Sequence, residues 1–267
     1  MLTGYLVGCA TLLGLLIGSF LNVVIARVPA GESVVSPPSA CPRCGAAIRA
    51  RDNVPLVSWL VLRARCRDCG APISARYPLV EALTAVVFGV TAWHLLPAEP
   101  DAGAYVVTVT FLYLAAACIA LFAIDLDVHR LPDRIVLPSI VVVAAGLAAA
   151  AAVDGAWGDL GRALACGAVL FAAYFVMLVI YPSGMGFGDV KLAALLGTAL
   201  GWLGWGAFAV GAFGAFLLGG VFSVALLATR RAGRKSGIAF GPWMILGAAA
   251  GVVVGERLWS AYLGLLG

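Results

Sequence analysis

The chain has 267 residues, 63% of them hydrophobic and 11% charged, with a formal net charge of +4. An ordinary soluble domain carries about 25% charged residues, so this composition excludes a soluble globule, and its apolar content excludes a disordered chain. A polytopic membrane protein remains, and there the distribution of charge says more than its sum.

A bilayer core takes about 20 mostly apolar residues per helix. Candidate spans run in chain order roughly over 2–26, 79–96, 104–124, 135–153, 160–181, 190–203, 205–229 and 240–263. No basic stretch precedes the first run, which continues past Ile25, so it reads as a retained span and not a cleaved signal. The sixth is short, and Gly-Trp-Leu-Gly-Trp-Gly at 201–206 barely separates it from the seventh, which leaves seven spans as an alternative to eight. The runs are continuously apolar and do not alternate, which argues against a β-barrel. Spacings such as Gly211-x-x-Gly214 let helices approach closely, but with 33 glycines no dimer motif follows from them.

Of the 17 Lys and Arg residues, eight fall from Arg27 to Arg76; the others on the same side of an alternating topology are Arg130, Arg134, Lys191, Arg230, Arg231, Arg234 and Lys235. The opposite loops carry Glu99, Asp101, Asp154 and Asp159. Basic loops stay cytosolic, which predicts an external N-terminus and a cytosolic segment over 27–78. The positive balance encodes orientation and calls for no nucleic-acid partner.

The 27–78 segment holds Pro29, Pro37, Pro38, Pro42, Pro55, Pro72 and Pro78, so it is no single helix. A loop of that size needs a staple. Cys41-Pro-Arg-Cys44 and Cys66-Arg-Asp-Cys69, each followed by glycine, supply one. Two such knuckles give four tetrahedral thiolates, and a closed sulfur shell marks a structural Zn2+. A redox or disulfide role and another metal are the alternatives; a cytosolic location argues against disulfides. Cys9, Cys118 and Cys166 lie singly in apolar runs, as small hydrophobes do.

Ionisable residues at membrane depth default to function. Asp125 ends the third span and Asp189 starts the sixth, within Gly184-Met185-Gly186-Phe187-Gly188-Asp189-Val190-Lys191. Alternation returns both to the cytosolic boundary. Two carboxylates in one semi-apolar site divide their protonation. One then activates water while the other protonates a scissile carbonyl. A proton- or ion-coupled transporter also uses paired carboxylates, and an aspartate at a helix end also serves as a cap. A zinc protease would need His-Glu-x-x-His, which is absent, and Ser183-Gly184 has no histidine placed for a serine protease.

Several ordered segments carry a family resemblance. They are Gly18-Ser19-Phe20-Leu21-Asn22 through Arg27-Val28-Pro29, both Cys-x-x-Cys pairs, Pro72-Ile73-Ser74-Ala75-Arg76 through Glu81, Asp125 through Asp133, Gly184 through Leu192, and Phe240-Gly241-Pro242. Together they resemble the type IV prepilin peptidases, or leader peptidase/N-methyltransferases, which are GxGD-type intramembrane aspartyl proteases. Ala26 and Val28 stand where the family pattern suggests tyrosine and leucine.

The resemblance implies an all-α polytopic membrane protein of about eight transmembrane helices with a small cytosolic zinc-knuckle loop. Residues 1–103 would form the methyltransferase-associated part and 104–267 the peptidase. Asp125 and Asp189 would be catalytic, supported by Gly186, Gly188, Lys191 and Asp133. The enzyme would reside in the bacterial inner membrane and cut a basic leader from prepilins or pseudopilins after glycine, on the cytosolic side. It would then methylate the new N-terminus with S-adenosylmethionine. No Gly-x-Gly-x-x-Gly following a strand marks the donor site. Glu81 is a candidate there, its alternative being a helix-start acid, and Asn22, Arg27 and Arg76 are weaker candidates.

Overall fold

The computed structural model describes residues 1–182, 184–229 and 239–265. Ser183 and the four basic residues at 230–235, which entered the orientation argument, lie outside the described residues. Nine helices form among the described residues. They are α1 (Leu2–Arg27), α2 (Val57–Val61), α3 (Arg76–Leu95), α4 (Ala102–Val128), α5 (Asp133–Asp154), α6 (Trp157–Ile180), α7 (Phe187–Leu203), α8 (Trp205–Ala228) and α9 (Gly241–Gly264). No strand appears among those residues beyond two isolated bridges in the knuckles. In hydrocarbon each backbone polar group needs an internal partner, which a helix provides. Seven helices are long and apolar enough to cross a bilayer, and α7, at 17 residues, is the short eighth expected from the sequence.

The chain divides into two compact units, residues 1–101 with 112–120, and 102–111 with 121–267. In the first, α1 and α3 pack side by side. A Cβ at Gly14 would stand 2.7 Å from the Ala85 Cα, and one at Gly18 would stand 2.7 Å from the Glu81 Cα. Glycine is what lets these backbones approach. At the other end, Ala10, Phe88, Ala92, Leu96 and Leu112 form the apolar core, and Thr3 Oγ1 donates to Pro97 O at 3.1 Å.

The second unit repeats this close packing in the pairs α6/α7 and α8/α9. A Cβ at Gly251 would meet Ala207 O at 2.5 Å, and one at Gly197 would meet Cys166 O at 2.8 Å. Gly211, from which no dimer motif was drawn, packs within the chain beside Gly251 of α9. Hydroxyls inside the spans donate to their own helix, as Ser139 to Ile135 O and Thr198 to Ala194 O, so they need no outside partner. Large side chains such as Phe213, Leu217, Val221 and Val224 of α8 point outward, an arrangement suited to lipid.

The break between α7 and α8 falls at Gly204, whose φ of 141° suits glycine alone. Two charges stabilise it. Arg162 donates to Gly201 O at 2.7 Å and Trp202 O at 2.8 Å, and Glu256 Oε1 accepts from Gly206 N and Ala207 N at 3.0 and 3.1 Å. The cation thus meets the carbonyl end of one helix and the anion the amide end of the next.

Candidate active site and metal centre

The two knuckles fold almost identically. Gly45 N donates to Cys41 O at 2.8 Å and Gly70 N to Cys66 O at 2.9 Å, while Cys41 N and Cys66 N donate to Ala46 O and Ala71 O. Gly45 and Gly70 have φ of 72° and 69°, the left-handed conformation that closes each turn without a Cβ clash. Isolated bridges Ala40–Ala47 and Arg65–Pro72 complete the match.

All four sulfurs lie within 4.8 Å of one another, with Cys41 and Cys69 Sγ 3.9 Å apart. Ligands about 2.3 Å from a tetrahedral zinc stand about 3.8 Å apart, so the cluster fits such an ion with little movement. N–H groups of Cys44 and Arg43 lower the Cys41 thiol to about 6, while burial and the neighbouring sulfurs push Cys44 up to about 11, a crowding of thiols that a bound cation would relieve by displacing their protons. Nearby, Arg67 grips Asp52 through both carboxylate oxygens, at 2.6 to 3.1 Å, and holds its carboxyl below the usual range. Arg49 pairs with Asp68 at 2.9 Å.

Asp125 lies within the last turn of α4, and Asp189 sits in the first turn of α7. The Gly186 N–H donates to Asp189 Oδ2 at 3.0 Å, and the Asp189 N–H donates back to Gly186 O at 3.1 Å. This bonding fixes the aspartate at the helix start, where the dipole favours a negative charge. The capping role open to an aspartate at a helix end is therefore present at Asp189. It does not account for Asp125, which is 4% exposed and whose Oδ2 is buried with no hydrogen-bond partner among the described residues. The two carboxylates are close enough to interact electrostatically.

The surroundings come from other helices. A Cβ at Gly241, at the start of α9, would stand 2.6 Å from Asp125 Oδ2, and one at Gly188 would stand 3.0 Å from the Leu131 Cβ. Glycine at both positions allows these close approaches, of α9 to the Asp125 carboxylate and of α7 to Leu131. Lys191 pairs with Asp133 and lies over the Phe187 ring at 5.0 Å. His129 has φ 52° and donates its N–H to Asp125 O at 3.0 Å. Tyr174 was not foreseen. It is 1% exposed, packs on Phe216 and Phe240 at 5.5 and 6.1 Å, and interacts electrostatically with Asp189. One tyrosine in an apolar span gives no sequence signal, whereas Gly241 stood within a noted motif.

The weaker sequence candidates gather in the first unit. Asn22 Nδ2 donates to Gly18 O and Tyr77 O, Arg27 donates to Ser33 O at 3.0 Å, and Arg76 begins α3. Glu81 is 8% exposed, and its Oε2 accepts from Leu56 N at 2.8 Å.

Helices of spanning length enclosing a carboxylate pair define a multi-pass membrane protein with the makings of an aspartyl hydrolase. Comparison with known proteins gives the family. Residues 12–95 match the Bacterial Peptidase A24 N-terminal domain, and residues 112–224 match the Type IV leader peptidase family. Similar proteins named prepilin leader peptidase/N-methyltransferase occur in Stutzerimonas stutzeri (35% identity, covering 96% of this chain and 93% of that one) and Pseudomonas aeruginosa (36%, covering 97% and 94%). One from Myxococcus xanthus is 42% identical over 71% of this chain and 55% of its own. No solved structure matches the chain. The chain belongs to the type IV leader peptidase family and is an enzyme of that family.

Proposed function

We propose that the chain is a prepilin leader peptidase and N-methyltransferase of the bacterial inner membrane, with Asp125 and Asp189 as its peptidase groups. The observation that carries the peptidase site is the buried Oδ2 of Asp125, unpartnered among the described residues, within electrostatic reach of Asp189. A buried polar atom without a partner costs stability, and a catalytic role is one reason such an atom is retained. The ionised acid takes a proton from water, and the water oxygen attacks the scissile carbonyl carbon. The protonated acid supplies a proton to the carbonyl oxygen, and the amine then leaves with a proton as the C–N bond breaks. Gly241 lets the start of α9 lie against Asp125 and Gly188 lets α7 lie against Leu131, and the Lys191–Asp133 pair anchors the start of α7 to the start of α5.

The basic distribution supports an external N-terminus, with the knuckles and both aspartates at the cytosolic face, where a basic leader would remain. Cleavage after glycine and the choice of prepilin or pseudopilin follow from the family. Residues 1–103 would serve methylation and 104–267 cleavage. Zn2+ held by Cys41, Cys44, Cys66 and Cys69 is structural, and S-adenosylmethionine is the methyl donor. A transporter would share the paired carboxylates, but the relatives are named as peptidases. The test is cleavage of a purified prepilin by the reconstituted protein, followed by mass spectrometry of the new N-terminus with and without S-adenosylmethionine. Near wild-type processing by Asp125→Asn or Asp189→Asn would refute the dyad.

A further inference from the structure

The first unit contains a cavity of about 700 Å3, walled by the last turns of α1, the knuckle loop and the first turns of α3. Asn22 and Val23 line it from α1, Cys41 and Cys66 from the knuckles, Trp59 from α2, and Glu81 from α3. Small-molecule and cofactor sites span about 300–1,000 Å3, so the space suits a nucleoside-sized ligand. Its wall is mixed in character, with apolar surface from Trp59, Leu56 and Ile73 beside charged groups.

Three carboxylates stand on that wall, and they differ. Asp52 is gripped by Arg67 and Asp68 by Arg49. Glu81 is held by a backbone amide instead, the Leu56 N–H at 2.8 Å. Leu56 has φ 60° and ψ −49°, and across it the Val57 N–H donates to Pro55 O at 2.6 Å. That is a γ-turn of the rare, strained hand, and strained backbone concentrates where a site must be held in place. The turn aims one amide at Glu81 and fixes the carboxylate. A carboxylate has about four acceptor positions, so one N–H leaves most of its capacity for a ligand. Arg27, Arg43 and Arg67 also line the cavity, but Glu81 is fixed by an amide, and a fixed carboxylate in a cavity that an indole also lines suits an organic cation.

We propose that this cavity is the methyl-transfer chamber, holding S-adenosylmethionine and the freed N-terminal amine, with Glu81 facing the reacting cation. The proposal rests on the methyltransferase reading above. Glu81 takes a proton from the N-terminal ammonium, leaving a neutral amine. The nitrogen lone pair attacks the methyl carbon of the sulfonium and forms the N–C bond. The S–C bond breaks with its electron pair remaining on sulfur, which gives neutral S-adenosylhomocysteine and a methylammonium terminus.

The experiment uses the full chain, zinc-loaded and in lipid nanodiscs. It measures S-adenosylhomocysteine binding, methyl transfer to a processed pilin and leader cleavage on the same samples. Glu81→Gln is expected to slow methyl transfer roughly 100-fold, the low end for a general base, and to flatten the pH profile of the residual rate. Glu81→Asp should recover part of the rate. Val23→Trp, which fills the cavity from α1, should abolish S-adenosylhomocysteine binding. Continued leader cleavage in each variant shows that the chain is folded. If wild type methylates and Glu81→Gln and Val23→Trp do so at the same rate, the chamber proposal is overturned while the methyltransferase reading stands. If wild type cleaves the leader but never transfers a methyl group from S-adenosylmethionine, both fall.

Discussion

From Cys41 to Cys69 the chain makes one knuckle twice, each with its own pair of sulfurs, turn glycine and backbone hydrogen bonds. Asp125 and Asp189 lie 64 positions apart, on α4 and α7, and Gly241, packed against Asp125, comes from α9. The sulfur site is thus assembled by local turns that bring four sulfurs within reach of one ion. The carboxylate site is assembled by helix packing and closed by glycine contacts. Damage to the first should spread through one loop, whereas damage to the second should reach any activity that depends on alignment across helices.

The largest effect should come from the carboxylates themselves. Asp125→Asn and Asp189→Asn are each expected to lower leader cleavage about 1,000-fold or more, measured on a purified prepilin, while zinc content stays at that of wild type. Gly241→Ala tests alignment without touching a reactive group. Its Cβ would stand 2.6 Å from Asp125 Oδ2, and a displacement of about 1 Å at a reacting group costs roughly 100-fold. Wild-type cleavage by this variant would show that the dyad tolerates repacking and would weaken the contrast with the sulfur site.

Removing the metal is the converse experiment. A chelator should leave the spans folded but expose the loop over 40–72 to protease, because metal binding and local folding are coupled. A metal-free protein with an equally resistant loop would show that the knuckles need no ion. Gly18→Val should act on packing, since its added atoms meet the Glu81 Cα at 2.7 Å or less. A loss of about 1–3 kcal/mol is the usual range for overpacking, and it is read as a lower midpoint of thermal unfolding in detergent.

The smallest effect is a pH dependence within the loop. Asp52 in the folded chain has its carboxyl held below the ordinary range by Arg67. Its contribution is therefore present above the unfolded carboxylate value and is lost as pH falls through the lower folded value. Arg67→Ala should remove that part of the acid sensitivity, as followed by loop proteolysis between pH 5 and 3 at fixed salt. An unchanged profile would remove Asp52 from the forces holding the loop.

The sulfur cluster was legible because its ligands, turn glycines and spacing are neighbours in sequence, and the spans were legible because bilayer thickness sets their length. The break at 201–206 was visible only as a run of glycines and tryptophans. Its place at Gly204, between the Arg162 and Glu256 caps, depends on residues about 40 and 50 positions away. Tyr174 beside Asp189 escaped notice for the same reason, as did Leu56 bracing Glu81 with a strained amide.

The sequence by itself determined the membrane class, the approximate spans, the four sulfur ligands and the two conspicuous aspartates. Each follows from composition or short spacing, where local chemistry and the bilayer leave few alternatives. Only the tertiary structure decided that Asp125 keeps a buried oxygen without a partner among the described residues, that Gly241 lies against it, and that Glu81 faces a cavity. These features depend on which glycine faces let two helices meet, and many faces of a chain with 33 glycines qualify. Packing against every neighbour at once selects among them.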